Sequence, residues 1–459
     1  MNYRMKMAGS VLALAVAAMT VSGAQAQSIT QALTAAYEHA PDLQSALLNA
    51  KVSAEGIAQA QAGKLPTIGA SVSGNYDWSL GSVSQLNPGG DFASSTSLTT
   101  GLSYNQTVFD NYRTEAQIEA ARAGAEAAEY QIRNTEQNVL LAVVQAYMDV
   151  LSGRQLVALR QDNINFFSAQ LKSAQDRLDV GEGTRIDVAQ AEARLAQGQA
   201  TYQAAVSTLE VSKATFQRYV GVAPNNLDSA HNFSRLIPNS LQSAIGEAET
   251  GHPAILLAKA SIRAAQAGSD AAQAAFGPTA TINGSLGTGV SSQGGGQGLS
   301  GRLGFSVSVP IYAGGAIGAG VRKANLSQIK SEVDAMSAYD QIRAAVIAAW
   351  AGIQSADAQI SAARSAVSAG GEVLDGVIQE RDLGTRTTLD VLNSQAELTS
   401  AREGLINAST NKVVATFSLL SAMGRLTASD LGLPVQVKSA VGYTQAVQDV
   451  WQELRTIAE

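Results

Sequence analysis

The chain has no cysteine among its 459 residues. Disulfides, thiolate catalysis, Zn–Cys centres and acylation of an N-terminal cysteine are thereby excluded. Histidine is almost as scarce. His39, His231 and His252 stand far apart with no acidic cluster beside them, so no histidine metal centre is expected and no cofactor is implied. Aromatics are 5%, too few for the core of a typical compact enzyme. Charged residues are 15%, against the roughly 25% usual in soluble domains. Positive charge is in deficit, and a net charge of −7 disfavours nucleic acid as a partner. Proline is absent from 89 to 223 and again from 311 to 433, which leaves room for long helices. Past the N-terminus no apolar run is long enough for a transmembrane helix. What is present is 46% hydrophobic residues, a share that argues against disorder.

The first 26 residues read as a secretory signal peptide. Arg4 and Lys6 form the positive region, Val11 to Met19 the short apolar run, and Ala24-Gln25-Ala26 the cleavage site. The rest repeats itself. His39-Ala40-Pro41 returns as Gly251-His252-Pro253, and Leu65-Pro66-Thr67 as Gly277-Pro278-Thr279, with both prolines shifted by 212. Further on the shift is 203: Val108-Phe109 aligns with Ile311-Tyr312, Gly181 with Gly384, and Asp187 with Asp390. The expected layout is a first repeat over 27–230, a second over 231–427 and a tail over 428–459.

Each repeat holds two alternating segments, about 66–79 and 97–109, then about 278–290 and 301–311. In the first, Ile68, Ala70, Val72, Tyr76 and Trp78 share one face, and Thr67, Ser71, Ser73, Asn75, Asp77 and Ser79 the other. The lengths suit tilted strands crossing a bilayer, and the small hydroxylic faces suit a water-filled lumen. Four strands cannot close a barrel, and an open edge cannot sit in lipid. The chain is therefore expected to oligomerise. Two copies would give eight strands around a filled interior; three would give twelve around a lumen, and three are preferred. Phe109 and Tyr312, where strand gives way to helix, are candidates for an interfacial aromatic girdle.

Long helices are expected at about 112–179 and 314–382, returning at about 185–221 and 386–424. Leu140, Val143, Val144, Tyr147, Val150 and Leu151 form one apolar stripe. Helices this long call for a coiled coil or helical barrel. The reversals centre on Gly181 and Gly384, followed by Thr184-x-x-Asp187 and Thr387-x-x-Asp390, both of capping-box form.

The duplication, the strand pair before each long helix, and above all Gly384-Thr385-Arg386-Thr387-Thr388-Leu389-Asp390-Val391-Leu392 resemble the TolC-like family of outer-membrane efflux and secretion channels. The resemblance covers essentially the whole mature chain. It implies a membrane α+β fold: a homotrimer with a 12-stranded β-barrel in outer-membrane lipid, four strands per chain, continued by a long periplasmic α-helical barrel. It implies an equatorial belt, placed here at 221–250 and the tail. The partners implied are a periplasmic adaptor and an inner-membrane transporter. The function implied is a passive exit duct for drugs, small molecules or secreted proteins, without catalysis. By the same resemblance Asp390 matches the first position of an acidic ring constricting the tunnel entrance, and Asn393 replaces the second acid. Arg386 and Asp187 match an entrance-closing network, and Arg381 stands where the family has a tyrosine.

Read from the residues alone, Asp187 and Asp390 are helix caps, and Arg386 pairs with Asp390 at i+4. The competing class is a trimeric membrane-anchored coiled-coil adhesin. It usually carries its few strands at one chain end, whereas here two pairs lie inside a duplicated chain. The G-x-G-x-x-G match at 296–301 precedes a strand in glycine-rich sequence, the wrong context for a dinucleotide site.

Overall fold

A computed structural model describes residues 27–81, 92–228, 236–292 and 297–448. The expected signal peptide, His231 and most of the two strand-connecting loops lie outside the described residues.

Local chemistry sets the helix starts. Ser28 and Gln31 form a capping box ahead of α1 (Ile29–His39). Pro41 opens α2 (Pro41–Gln61), where its missing N–H costs no hydrogen bond. β1 (Thr67–Leu80) and β2 (Phe92–Phe109) follow. Next come α3 (Arg113–Asp179), 67 residues long, and its return helix α4 (Arg185–Val220). The same order then recurs: α5 (Leu241–Gly251), α6 (Pro253–Ala274), β3 (Thr279–Ser291), β4 (Gln297–Ser308), α7 (Ala316–Asp382), again 67 residues, and α8 (Thr388–Ala422). A short α9 (Val441–Val447) follows. At ~1.5 Å per residue each long helix spans roughly 100 Å.

Some boundaries differ from the sequence reading. β2 starts at Phe92 rather than about 97, and β4 at Gln297 rather than 301. The Ser/Gly-rich stretches have no apolar alternation to read, yet they continue the backbone ladder, with Trp78 opposite Ser94 and Leu80 opposite Phe92. β4 stops at Ser308, not 311; Pro310 has no N–H to donate to a ladder. α7 starts at 316 because Gly314 and Gly315 take left-handed backbone. Asn111 and Tyr112 hold the same conformation before α3.

The four strands form one antiparallel sheet in the order β1-β2-β3-β4. Register sorts the faces. Ile68 lies opposite Tyr104, Ala70 opposite Leu102 opposite Leu286, and Ile282 opposite Phe305. The reverse face carries Ser71, Ser73, Asn75, Thr99, Ser103, Asn283, Ser285 and Ser306. In one chain the apolar face is bare: Val72 is 73% exposed and Leu303 81%.

α3 is the spine. It packs against α2 and α4 along one side and against α6 and α8 along another, while α7 lies against α6 and α8. The main core gathers at mid-height from Leu33, Leu43, Leu140, Val143, Val144, Tyr147, Phe216, Phe417 and Leu420. In α7 the repeat-related stripe is only partly covered. Val346 is buried but Ile347 is 43% exposed. The chain after α8 returns over α1, α2 and α3. Ala428 N–H donates to Glu136 (2.5 Å), Ala440 N–H to Glu129 (2.9 Å), Lys438 N–H to the Tyr37 hydroxyl (2.8 Å), and the Tyr443 hydroxyl to Glu55 (2.6 Å).

Burial pushes the Glu136 carboxyl above its ordinary 4.5, against the pull of the Ala428 N–H. A carboxyl raised in the fold holds its proton more tightly there than in the unfolded chain. Its stabilising share is full below the unfolded value and fades as pH rises through the folded one. Glu136→Gln keeps an acceptor for Ala428 and removes the charge. Melting temperatures across a pH series are expected to move in the variant's favour as pH climbs above about 4.5. A difference independent of pH would refute this account.

Candidate functional site

The two helix reversals lie at one end of the long helices, remote from the sheet. Both are built the same way. Val180 and Leu383 end α3 and α7, then Gly181 (φ +82°) and Gly384 (φ +81°) turn the chain in a conformation other residues rarely adopt. Their amides and the next bond back to helix-end carbonyls: Gly181 to Leu178, Glu182 to Arg177, Gly384 to Arg381 and Thr385 to Glu380. Thr184 and Thr387 then cap α4 and α8. The Thr387 N–H and hydroxyl donate to Asp390 at 2.9 and 2.7 Å, and the Asp390 N–H donates back at 3.2 Å. Asp187 forms the same box with Thr184.

Asp390 is partly exposed, and its carboxyl is held below the usual range. The Thr387 N–H is the main cause, then the Thr387 hydroxyl, with a lesser contribution from the positive Arg386. The negative charge at this turn therefore persists at neutral pH, and the cap's share of stability is lost only as pH falls through the lowered value. Arg386 does not bond to Asp390. Its Nε donates to Glu380 at 2.9 Å, and that carboxylate holds it more firmly protonated.

Within one chain the structure does not join Arg386, Asp187 and Arg381. Arg381 is turned inward, with 7% of its surface exposed, donating to Gln170 of α3 and to Asp382. Asn393 accepts a 2.9 Å bond from Arg194 of α4. Of the aromatic pair, Phe109 ends β2 and meets Tyr112 edge-to-face at 5.9 Å, while Tyr312 stands 90% exposed beyond β4.

The contacts tying one hairpin to the other were not visible in the sequence. Asn163 of α3 accepts from Gln395 (3.1 Å) and Thr399 (3.2 Å) of α8, and all three are buried. Arg160 pairs with Glu403 one turn away. Phe167, Ala191 and Leu392 pack beside them. The only local signal was the i, i+4 spacing of Gln395 and Thr399, which many surface pairs share.

The profile of the outer membrane efflux protein family matches residues 32–222 and 244–425, most of the chain and both repeats. The chain belongs to this family. Its place is accordingly the outer membrane, and the absence of a long apolar helix among the described residues says nothing against a β-barrel. Among relatives, the outer membrane efflux protein BepC of Brucella suis is 37% identical over 95% of this chain and 94% of its own length. The outer membrane protein TolC of Escherichia coli is 25% identical over 90% and 86%. Among solved structures, the CmeC outer membrane channel of Campylobacter jejuni superposes with a TM-score of 0.76 at 16% identity, covering 92% of this chain and 89% of that one. That likeness supports the fold: a four-stranded sheet per chain joined to a long helical body.

Proposed function

We propose that three copies of this chain close into a single outer-membrane exit duct, with twelve strands in lipid and a helical tube reaching into the periplasm. The observation that carries this reading is the two-faced sheet. One face carries the large apolar side chains and is bare; the other is hydroxylic; and among the described residues the outer edges of β1 and β4 have no strand partner. Lipid would cover the apolar face, and neighbouring copies would pair the edges. Twelve strands leave a water-filled lumen where eight would be filled.

The helices support the same closure. Leu326, Ile329, Val333 and Met336 of α7 stand exposed along the side that no helix of the same chain covers. Leu48 and Val52 of α2 and Val211 of α4 stand exposed at the opposite flank. Head-to-tail rotation brings these flanks together and closes a ring. At the far tips Val180, Ile186 and Leu383 are each more than two-thirds exposed, as a docking end for a periplasmic adaptor and its inner-membrane transporter requires. The duct provides passage for small molecules or secreted proteins and no chemistry of its own.

Three-fold symmetry would gather three Asp390 carboxylates near one axis, a focused negative constriction. Planar-bilayer recordings should therefore show small cation-selective currents, with selectivity falling in Asp390→Ala and in Asp390→Asn. The asparagine keeps an acceptor for the helix cap, so a loss of selectivity shared by both variants is due to the charge. A folded, membrane-inserted oligomer that passes no current would overturn the duct.

A further inference from the structure

The four strands contain two charged residues, Asp77 on β1 and Arg302 on β4. Both lie on the hydroxylic face. Asp77 follows the phase of Ser71, Ser73 and Asn75, and Arg302 lies opposite Ser285. Neither has an ion-pair partner among the described residues. Within one chain they cannot meet. Arg302 shares its rung with Ser285, Ser103 and Gly69. Asp77 lies eight residues further along β1, about 27 Å at ~3.4 Å per residue, and three strands away. Yet β1 and β4 are the sheet's two edges, the strands that meet at each seam of a closed barrel.

The stagger of the sheet says where they meet. Thr67, the first residue of β1, shares a rung with Asn105, Asn283 and Gly304. β3 and β4 run on past that rung to the Thr279–Ser308 pair, four residues lower. Three-fold symmetry holds the Thr67 of every copy at one height, so the next copy's β1 begins lower on the ladder than this one's. β2 runs to the same lower level, so the offset gives the sense of the stagger. A barrel tilt of about 35–45° gives its size, roughly four to six residues over four strand steps. Side-chain alternation allows only even values, because an odd slip would turn hydroxyls to lipid. A stagger of six sets Arg302 opposite Asn75 of the adjacent copy, with Asp77 its diagonal neighbour. Diagonal Cα atoms are about 7–8 Å apart, within reach of an arginine side chain.

We propose that Arg302 of each copy pairs with Asp77 of the next, three times around the barrel, and that this pair sets the register of the subunit seam. The inference rests on the trimeric reading above. It also accounts for the placement of the charges. Edge pairing of β1 with β1 would place only Asp77 carboxylates along the seam, and β4 with β4 only Arg302 guanidinium groups. Only the head-to-tail pairing of β4 with β1 joins opposite charges, and only that pairing closes a ring.

The absence of native cysteine makes the test clean. Arg302→Cys is combined in turn with Gly69→Cys, Ser73→Cys, Asn75→Cys and Asp77→Cys, and a short thiol cross-linker is applied to membranes. Covalent dimers and trimers are expected to be most abundant for positions 75 and 77, with position 69 as the negative control. Separately, Asp77→Arg or Arg302→Asp alone should lower the detergent-resistant trimer fraction several-fold, and the two together should restore it. An intact trimer that cross-links best at 69 or 73, or not at all, overturns the seam pair and leaves the duct standing. Failure of the double reversal to restore the trimer overturns the pairing of charges. Wild-type protein that runs as a monomer in mild detergent overturns the trimeric reading, and the pair with it.

Discussion

Alanine at Gly424 is expected to destabilise the protein by about 2–5 kcal/mol and to abolish most of the assembled protein recovered from membranes, by the sum of backbone and overpacking costs. Gly424 ends α8 with φ +79°, and an added Cβ would lie 2.8 Å from the His252 Cα and 3.0 Å from Pro253 Cδ. These are backbone and ring atoms at the start of α6, with no side-chain rotation to relieve them. The repeat-related Gly221, φ +82°, would press its Cβ against the His39 ring at 2.8 Å. That ring can move, so Gly221→Ala should be the milder change. Gly432, φ +63° with open space around it, isolates the backbone share, about 1–2 kcal/mol. Thermal denaturation of the three variants checks the order, Gly424 worst and Gly432 least. Equal losses would show that backbone conformation alone matters and that the close approach of α8 to α6 does not.

The second large effect is expected at Asn163. Its side-chain oxygen accepts from both Gln395 and Thr399 in a buried cluster joining the two hairpins. Asn163→Ala removes the acceptor and strands an amide N–H away from water, at about 1–3 kcal/mol. The Thr399 hydroxyl keeps its 2.8 Å bond to the Gln395 carbonyl, and the Gln395 amide keeps its 3.3 Å bond to the Thr399 oxygen, so the loss should fall on one N–H of that amide. Hydrogen exchange should quicken in the tip-proximal half of α8 and in the facing stretch of α3, with little change in the mid-height core around Leu140 and Phe417. Removing all three polar groups together, Asn163→Leu with Gln395→Leu and Thr399→Val, should recover much of the stability, because no orphaned group remains. A single variant that leaves α8 exchange unchanged would refute the cluster's role in tying hairpin to hairpin.

The capping boxes at Thr184–Asp187 and Thr387–Asp390 were legible because a capping box is local: the residues that bond lie three apart in the chain. The two-faced strands were legible for the same reason, since alternation with a period of two needs no knowledge of what lies across the ladder. Strand ends were less so. Ser94 to Thr96 has no apolar rhythm and joins β2 only because Trp78 and Tyr76 offer a backbone to pair with. The entrance network was read from a likeness of motif. In the folded chain Arg386 instead finds Glu380, six residues back across the turn, and Arg381 finds Gln170, 211 positions away.

By itself the sequence determined the duplicated plan, the two long helix–turn–helix arms, the membrane-facing strands and the tip turns. All of these follow from periodicity, proline placement and capping within a few residues. Only the tertiary structure decided which helix became the spine, how Asn163 met Gln395 and Thr399, how the tail came to rest on Glu129 and Glu136, and that Asp77 and Arg302 fell on opposite edges of a single face. Those outcomes depend on register and helix-to-helix packing between residues tens to hundreds of positions apart. No local pattern encodes them, because their free energy exists only once the distant partners are brought together.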